Sequence, residues 1–243
     1  MKNNEFNANN ASLSVDLSEA RQAVKENRFQ DALDLFEIIL KDNPDHIDSL
    51  YLASVSSRYL KNFDESKKFI ERLMIIAPDM GRAYQELGHI YRDMGNIDKA
   101  VIHYRQACEL NPALLASWNS LYKYFVENKN KPAADHAREQ IEKLQSLPST
   151  LLYIDQIMNE GRLGVAETQC RAFLKKHPTH TYAMSLLSEI ANRLGYFDDA
   201  EFLLEKAVEF QPNDGDLRLK YVTILRKKQK FAKTIEQVNI LCD

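Results

Sequence analysis

Residues 81–114 read GRAYQELGHIYRDMGNIDKAVIHYRQACELNPAL. In each half of this stretch, apolar residues recur three or four positions apart, which places them on one face of an α-helix. The first half contributes Tyr84, Leu87, Ile90 and Tyr91, and the second half contributes Val101, Tyr104, Ala107 and Cys108. The pattern therefore predicts two amphipathic helices. Because a single helix pair cannot bury its apolar face alone, neighbouring pairs must stack on it.

Local signals predict where each helix begins and ends. Gly95 can adopt the left-handed backbone conformation that terminates the first helix. Asp98 is predicted to cap the N-terminus of the second helix, and Pro112 to stop it. Gly88 and Ala100 are small residues on facing helices, so we expect the two backbones to approach closely there.

Seven positions of this stretch follow a known repeat pattern. They are Tyr84, Leu87, Gly88, Tyr91, Ala100, Tyr104 and Pro112, with tyrosine in place of the leading tryptophan and of the phenylalanine. The stretch thus resembles the tetratricopeptide repeat family. The resemblance implies an all-α fold, a right-handed superhelical solenoid of antiparallel helix pairs. It also implies that the first helix of each pair lines a concave groove that binds extended peptides.

Prolines mark the period of the rest of the chain. Pro44, Pro78 and Pro112 lie 34 residues apart, and Pro178 and Pro212 keep the same step. This spacing predicts a single solenoid domain over residues 13–243 with about seven repeats, the last one truncated. The predicted repeats are residues 13–46, 47–80, 81–114, 115–146, 147–180, 181–214 and 215–243. Residues 1–12 are polar and Asn-rich and are predicted to form a disordered tail, and the first helix of the fifth repeat is expected to start late.

The composition argues against several classes of protein. The 243 residues carry a formal net charge of -3, which gives no reason to expect nucleic acid or a membrane surface as a partner. No apolar run approaches the roughly 20 residues that span a bilayer, and the N-terminus lacks the apolar core of a secretory signal. Cys108, Cys170 and Cys242 form neither a paired framework nor a metal-binding spacing. We therefore expect buried free thiols in a bacterial, cytoplasmic protein.

The expected groove carries a cluster of hydrogen-bond donors. The inward positions of the first helices in the second to fourth repeats give eight candidate binding residues: Tyr51, Arg58, Arg82, Gln85, His89, Arg92, Asn119 and Lys123. Guanidinium groups suit carboxylate, phosphate or sulfate ligands. We therefore expect the groove to bind an acidic or C-terminal segment of a partner protein, with Tyr51 as a flat contact. The alternative is a set of solvated charges balanced by Glu86 and Asp93.

The sequence shows no catalytic constellation. It contains no GK[ST] phosphate loop, no G-x-S-x-G and no H-E-x-x-H motif, so we predict no catalytic residue and no cofactor. His177 and His180 lie in a turn between repeats without nearby acidic or cysteine ligands, so we predict no metal site. The basic run at residues 226–230 could bind polyanions, or it is a solvated helix end.

Two further hypotheses stand beside peptide binding. Residues 80–243 resemble the N-terminal repeat arm of bacterial proteins that end in a sulfotransferase domain, chiefly in the short join before the fifth repeat and in the turn at residues 160–163. That resemblance implies a substrate-presenting arm whose catalytic domain lies beyond residue 243. The other hypothesis is a homodimer formed through an uncapped C-terminal helix, which would expose Ile235, Val238, Ile240 and Leu241.

Overall fold

A computed structural model describes residues 17–242, and every regular element in this range is an α-helix. The first helix, α1, is described over residues 17–25. The others are α2 (Phe29–Asp42), α3 (Ile47–Tyr59), α4 (Phe63–Ile76), α5 (Gly81–Asp93), α6 (Ile97–Leu110), α7 (Leu115–Glu127), α8 (Lys131–Gln145), α9 (Ser149–Asn159), α10 (Leu163–Lys176), α11 (Thr181–Arg193), α12 (Phe197–Phe210), α13 (Gly215–Lys227) and α14 (Phe231–Cys242). The all-α solenoid fold predicted from the sequence is confirmed. The predicted tail at residues 1–12 lies outside the described residues.

The chain divides into two compact units. Unit 1 ends at Glu142 and contains α1 to α7 with most of α8, and unit 2 begins at Lys143 and contains α9 to α14. In both units, a first helix and a second helix alternate along the chain. Each first helix packs on the second helix of its own pair, and α5 with α6 and α11 with α12 are the most extensive of these contacts.

The helices keep the 34-residue period, with one interruption. The first helices α3, α5, α7 and α9 begin 34 residues apart, from Ile47 to Ser149, and the next interval, to Thr181, is 32 residues. The two missing residues fall in α9, which has 11 residues where α5 and α11 have 13 each. The first helix of the fifth repeat begins at Ser149, two residues after the predicted start of that repeat at residue 147, so the expected late start is observed.

The turn inside each helix pair contains one residue with positive φ. These residues are Asn27, Lys61, Gly95, Lys129, Gly161, Gly195 and Gln229. At Gly95, φ is 81°, which confirms the predicted left-handed end of α5. The prediction that Asp98 caps α6 is wrong. The cap is Asn96, whose Oδ1 accepts a hydrogen bond from the Lys99 backbone N–H at 3.2 Å, because α6 begins at Ile97 and Asp98 already lies in its first turn.

The close approach predicted at Gly88 is made by an aromatic ring. A Cβ atom at Gly88 would lie 2.7 Å from two ring carbons of Tyr104, a distance that real Cβ atoms do not show. Tyr104 is 2% exposed and packs with Ala100 of α6 and with Leu121 of α7. The packing of α5 on α6 therefore depends on the missing side chain at residue 88.

The cores of both units contain free thiols, as predicted. Cys108 packs in the cluster around Tyr104, and Cys170 packs in unit 2 among residues of α9 and α11 such as Leu151 and Ile190. Burial raises the pKa of both thiols to about 12. Because a thiolate is the reactive form, neither cysteine is a nucleophile near neutral pH. The side chain of Cys242 lies outside what the structure describes.

Candidate functional site

The eight candidate residues lie on three first helices of unit 1. Tyr51 and Arg58 belong to α3, Asn119 and Lys123 belong to α7, and Arg82, Gln85, His89 and Arg92 belong to α5. We call the surface that they form the first-helix surface of unit 1. On α5 the four residues follow one another at intervals of three or four, which aligns them along one side of the helix.

Arg58 is a buried link between α3 and α5. Its side chain is 9% exposed, its Nε donates to Glu86 Oε1 at 2.6 Å, and its Nη1 donates to Asp93 Oδ2 at 3.0 Å. Burial opposes the charge, but the two carboxylates raise the pKa of Arg58 above its ordinary value. Glu86 is 2% exposed, so both charges of this pair are removed from water. The donors of Arg58 are thus engaged within the chain.

Asp93 joins Arg58 to the exposed Arg92. Arg92 donates to Asp93 Oδ1 through Nε at 3.0 Å and through Nη2 at 2.8 Å. Burial acts against ionisation of Asp93, but the hydrogen bonds from the two arginines outweigh it and lower the pKa of this carboxyl. Asp93 therefore stays ionised near neutral pH and fixes the position of the Arg92 guanidinium.

His89 lies between Arg92 and the core. Its Nδ1 is 2.7 Å from the Tyr104 hydroxyl oxygen and 3.3 Å from Arg92 Nη1. Burial, reinforced by the positive charges of Arg92 and Arg58, lowers the pKa of His89 to about 4. The imidazole is consequently neutral near pH 7. Sequence reasoning placed His89 on this surface but did not identify its partner.

Two further contacts join neighbouring first helices. The Arg82 guanidinium of α5 lies over the Tyr51 ring of α3, 4.7 Å from the ring centroid, a geometry that favours a cation–π interaction. Ser117 of α7 donates to Gln85 Oε1 at 3.0 Å. The Gln85 oxygen therefore accepts a hydrogen bond from α7, which links α5 to the next first helix.

The two candidates on α7 are more open. Asn119 is exposed, and its Nδ2 donates to the backbone oxygen of Leu115 in the same helix at 3.0 Å. Lys123 is 79% exposed, and its Nζ lies 4.0 Å from Glu127, also on α7. Neither contact reaches another helix, so the positions of these two side chains are held only locally.

Sequence reasoning missed the role of Tyr104. The helical pattern predicts a core position for Tyr104, and its side chain is buried, but its hydroxyl also contacts His89 Nδ1. A signal was available, since a buried tyrosine usually finds a partner for its hydroxyl. The sequence indicates Glu86 and Asp93 only as balancing charges, whereas in the structure both accept hydrogen bonds from Arg58 directly.

Unit 2 has a polar junction of its own between first helices. Asp155 of α9 accepts a hydrogen bond from the Tyr182 hydroxyl of α11 at 2.6 Å and one from Asn159 Nδ2 at 2.8 Å. Arg193 of α11 donates to the backbone oxygen of Met158 at 3.2 Å. Burial raises the pKa of Asp155, and the neighbouring donors only partly offset this.

The basic run at residues 226–230 is largely engaged within unit 2. Lys228 forms ion pairs with Asp198 and Glu201, and Lys230 Nζ lies 2.6 Å from Glu201 Oε1. Lys227 donates to Asn192 Oδ1 at 2.7 Å. These contacts favour a structural role for the run over binding of a polyanion.

The described residues contain no group of three or more histidine, cysteine or acidic side chains that could hold a metal ion. The His180 side chain accepts a hydrogen bond from the backbone N–H of Ala183 at 3.3 Å, which caps α11. His177 packs on Phe173 with the ring centroids 4.7 Å apart.

Over the part of the chain that the structure describes, no helix is long and apolar enough to cross a membrane.

Stacked helix pairs with a polar first-helix surface define a repeat scaffold. Two family models, each described as tetratricopeptide repeat, match residues 81–114 and 182–214 in one case and residues 17–80 in the other. The chain belongs to the tetratricopeptide repeat family and is a protein–protein interaction module. Proteins with this fold are generally non-catalytic scaffolds.

Known proteins are similar to this chain at low identity. Mouse and human anaphase-promoting complex subunit 7 are each 22% identical to it over 190 residues, which cover 77% of this chain and 34% of the relative. The chain thus spans about a third of the length of these curated relatives. Among solved structures, one of Naa15/Naa10 bound to HypK-THB is 17% identical, with a TM-score of 0.49 over 95% of this chain and 36% of the other. MamA from Desulfovibrio magneticus RS-1 is 20% identical, with a TM-score of 0.48 over 55% and 75% of the two chains.

Proposed function

We propose that the first-helix surface of unit 1 binds an extended, acidic peptide segment of a partner protein and catalyses no reaction. The observation that carries this proposal is that the candidate residues offer mainly hydrogen-bond donors and positive charges. Internal contacts occupy the acceptor atoms of Gln85 and His89, and the charged side chains among the candidates are all cationic. A surface rich in donors suits a ligand rich in oxygen acceptors.

The acidic character of the ligand follows from the charges on this surface. The Arg82 and Arg92 guanidinium groups are held by Tyr51 and Asp93, which limits the conformational entropy that they lose on binding. Lys123 adds an exposed positive charge. Arg58 does not contribute directly, because its donors are bound to Glu86 and Asp93.

Fluorescence polarisation with four rhodamine-labelled peptides of equal length tests this proposal. The peptides combine alternating Glu or alternating Gln with a free or an amidated C-terminus, so they separate side-chain carboxylates from the terminal carboxylate. We expect the Glu peptides to bind more tightly than the Gln peptides, and more tightly at low salt. The double variant Arg82→Ala/Arg92→Ala should lose more than about tenfold in affinity, because even a single lost hydrogen bond to a charged group costs roughly 1.5–3 kcal/mol.

Arg72→Ala is the matched control. Arg72 is an exposed arginine of the second helix α4, paired with Asp45 at 2.9 Å, away from the first-helix surface. Its loss should leave the affinity unchanged. Equal binding of Glu and Gln peptides, or unchanged affinity of the double variant at low salt, would show that the acidic-peptide proposal is wrong.

We also propose that α14 mediates self-association, because apolar side chains on its outer face are exposed among the described residues, whereas α13 covers the same face of α12. Glu201, Leu204 and Ala207 of α12 are 6%, 1% and 0% exposed, and α13 packs against them. Ile235, Val238 and Leu241 occupy the equivalent positions of α14, and they are 62%, 38% and 38% exposed. A second copy would continue the stacking that α13 provides to α12.

Sedimentation velocity over a concentration series tests self-association. We expect a concentration-dependent dimer that Val238→Lys/Leu241→Lys converts to monomer. The control is Ile102→Lys, which changes an apolar residue of α6 that is 61% exposed and should leave the dimer unchanged. A wild-type monomer at all concentrations would rule out this interface.

Two expectations from the sequence stay predictions. The first is that this chain is the N-terminal arm of a bacterial sulfotransferase. Sequencing the gene beyond the codon of Asp243 tests it, since a sulfotransferase domain with a phosphate-binding loop would have to follow. The cytoplasmic location is tested by fractionating cells that express the tagged protein.

A further inference from the structure

The two polar contacts of His89 Nδ1 determine which nitrogen of the ring carries the hydrogen atom. A guanidinium group can only donate hydrogen bonds, so Nδ1 must accept from Arg92 Nη1 at 3.3 Å. The Tyr104 hydroxyl, 2.7 Å away, then donates to the same lone pair. A neutral imidazole that accepts at Nδ1 carries its hydrogen on Nε2. His89 is therefore a neutral ring with an Nε2–H donor.

The position of His89 places this donor among the other candidate residues. Gln85 lies four residues before it and Arg92 three residues after it, so all three side chains lie along the same side of α5. Within residues 17–242, Nδ1 is the ring nitrogen of His89 that has hydrogen-bond partners. The ring is half-buried, so Nε2–H forms a donor of fixed direction at the first-helix surface.

We propose that His89 recognises a carboxylate oxygen of the bound peptide as an uncharged donor through Nε2–H, and that Tyr104 is the positioning residue that holds this tautomer. The inference rests on the proposed function and specifies its ligand contact. A charged imidazolium would strengthen binding of an acidic peptide as the pH falls. A fixed neutral donor makes recognition independent of pH in the range where histidine ordinarily titrates.

The groups around His89 all favour the neutral ring. Arg58 approaches from α3, Arg92 and Asp93 lie on α5, and Tyr104 contacts it from α6. The two arginines disfavour a third positive charge more than Asp93 favours it, and burial acts in the same direction to lower the pKa of His89. Affinity for the Glu peptide should therefore be flat from about pH 5.5 to 8, where peptide carboxylates stay ionised.

Histidine nitrogen NMR on the free protein tests the tautomer without any ligand. The His89 signals are assigned by their loss in His89→Gln. We expect the pattern of the neutral Nε2–H form, with no titration near pH 6.5, the ordinary value. In Tyr104→Phe, which keeps the ring but loses the hydroxyl, the Nδ1–H form should appear or the pKa should rise. A titration near 6.5 in the wild-type protein, or an unchanged His89 spectrum in Tyr104→Phe, would overturn the inference.

A pair of substitutions tests the ligand contact. The Gln side-chain nitrogen can reach the position of Nε2, so His89→Gln keeps the donor and loses the contact with Tyr104. The shorter Asn keeps an acceptor near Nδ1, so His89→Asn retains that contact and loses the donor. With the free-acid Glu peptide, we expect His89→Gln to bind within about twofold of wild type and His89→Asn to bind about fivefold to tenfold more weakly.

These outcomes separate the inference from the function on which it rests. Equal losses in His89→Gln and His89→Asn, or no loss in His89→Asn, would overturn the contact through Nε2–H while acidic-peptide binding still stands. Failure of the wild-type protein to prefer Glu over Gln peptides would overturn the proposed function. The NMR result would in that case still decide whether His89 is a fixed neutral donor.

Discussion

The helix pairs α5–α6 and α11–α12 have the same dimensions but different chemistry. Their first helices have 13 residues each and their second helices have 14 each, so equivalent residues differ by 100 in number. Both pairs match the same family model. The two pairs nevertheless differ in kind at several positions. Three of them are Glu86, Gly88 and His89 in one pair, where the other pair has Leu186, Ser188 and Glu189.

The difference begins at the contact with the preceding first helix. In unit 1, Arg58 of α3 forms an ion pair with Glu86 away from water. In unit 2, Met158 and Leu186 hold the equivalent positions, each 4% exposed within one apolar cluster. The same backbone therefore accepts either a charged or an apolar pair. The charged pair orders Asp93 and Arg92, and through them His89, whereas an apolar pair at the same place orders no polar group.

Breaking the charged pair should have the largest effect. Arg58→Met leaves Glu86 buried without its partner and should lower the free energy of unfolding by about 3–5 kcal/mol. Adding Glu86→Leu reproduces the Met158–Leu186 pair of unit 2 and should bring stability back to within about 1 kcal/mol of wild type. The measurement is urea unfolding together with amide hydrogen exchange in α3 and α5.

Arg72→Met provides the reference for an exposed pair. Arg72 and Asp45 are 48% and 66% exposed, so the loss should be below about 1 kcal/mol. If Arg58→Met cost no more than Arg72→Met, the contrast between the two helix pairs would not hold.

The approach of α5 to α6 should give an intermediate effect. Gly88→Ser places a Cβ 2.7 Å from the Tyr104 ring and should cost about 2 kcal/mol, because the tightly packed ring has little room to move. The double variant Gly88→Ser/Tyr104→Leu reproduces the pair that Ser188 and Leu204 form in α11–α12. It should recover part of the lost stability. Ser188→Gly in unit 2 should cost only about 1 kcal/mol through helix propensity. Thermal unfolding of these three variants beside the wild-type protein checks the order, and an unchanged stability of Gly88→Ser would contradict it.

The smallest effect on stability should come from the ionisation of two aspartates, Asp93 and Asp155. Burial opposes ionisation of Asp93, but Arg92 and Arg58 lower its pKa, so its stabilising contribution is lost as the pH falls through the folded-state value. Burial raises the pKa of Asp155, so the folded state holds this proton more tightly than the unfolded state does. Its effect on stability has the opposite sign: stability falls as the pH rises from about 3.9 to the raised value.

Carboxyl carbon NMR measures both aspartates in one titration. Asp93 should titrate below the ordinary aspartate range and Asp155 above it. Asp155→Asn should remove the loss of stability with rising pH, and Asp93→Asn should not. If both residues titrated in the ordinary range, the electrostatic contrast between the two junctions would be absent.

Much of the fold could be predicted because its signals are local. Apolar spacing predicts each helix, and Gly95 predicts a turn from its own conformational freedom, with φ at 81°. The cap of α6 was misplaced by two residues, since Asp98 and Asn96 are both suitable capping residues and the choice depends on where the helix starts. Which residues share the first-helix surface also follows from helical periodicity.

What each of those residues does could not be predicted in the same way. The sequence predicts Arg58 as a donor to a ligand. Its hydrogen-bond partners are instead Glu86 and Asp93, which lie 28 and 35 residues further along the chain, on the next first helix. Periodicity gives the side of a helix on which a residue lies, and not the atom that it meets on a neighbouring helix. In the same way, periodicity does not predict that Lys228 and Lys230 form ion pairs with Glu201 of α12.

The sequence by itself determined a helix-pair repeat of 34 residues and the set of residues on its first-helix surface, because apolar periodicity, turn residues and prolines act within a single repeat. Only the tertiary structure decided which of those residues are engaged by neighbouring helices and which, like Lys123, are exposed. The physical reason is that burial and hydrogen bonding depend on side chains that meet across stacked helices. Tyr104 against Gly88 and His89 is the clearest instance, since one ring sets both the packing distance and the position of the imidazole hydrogen.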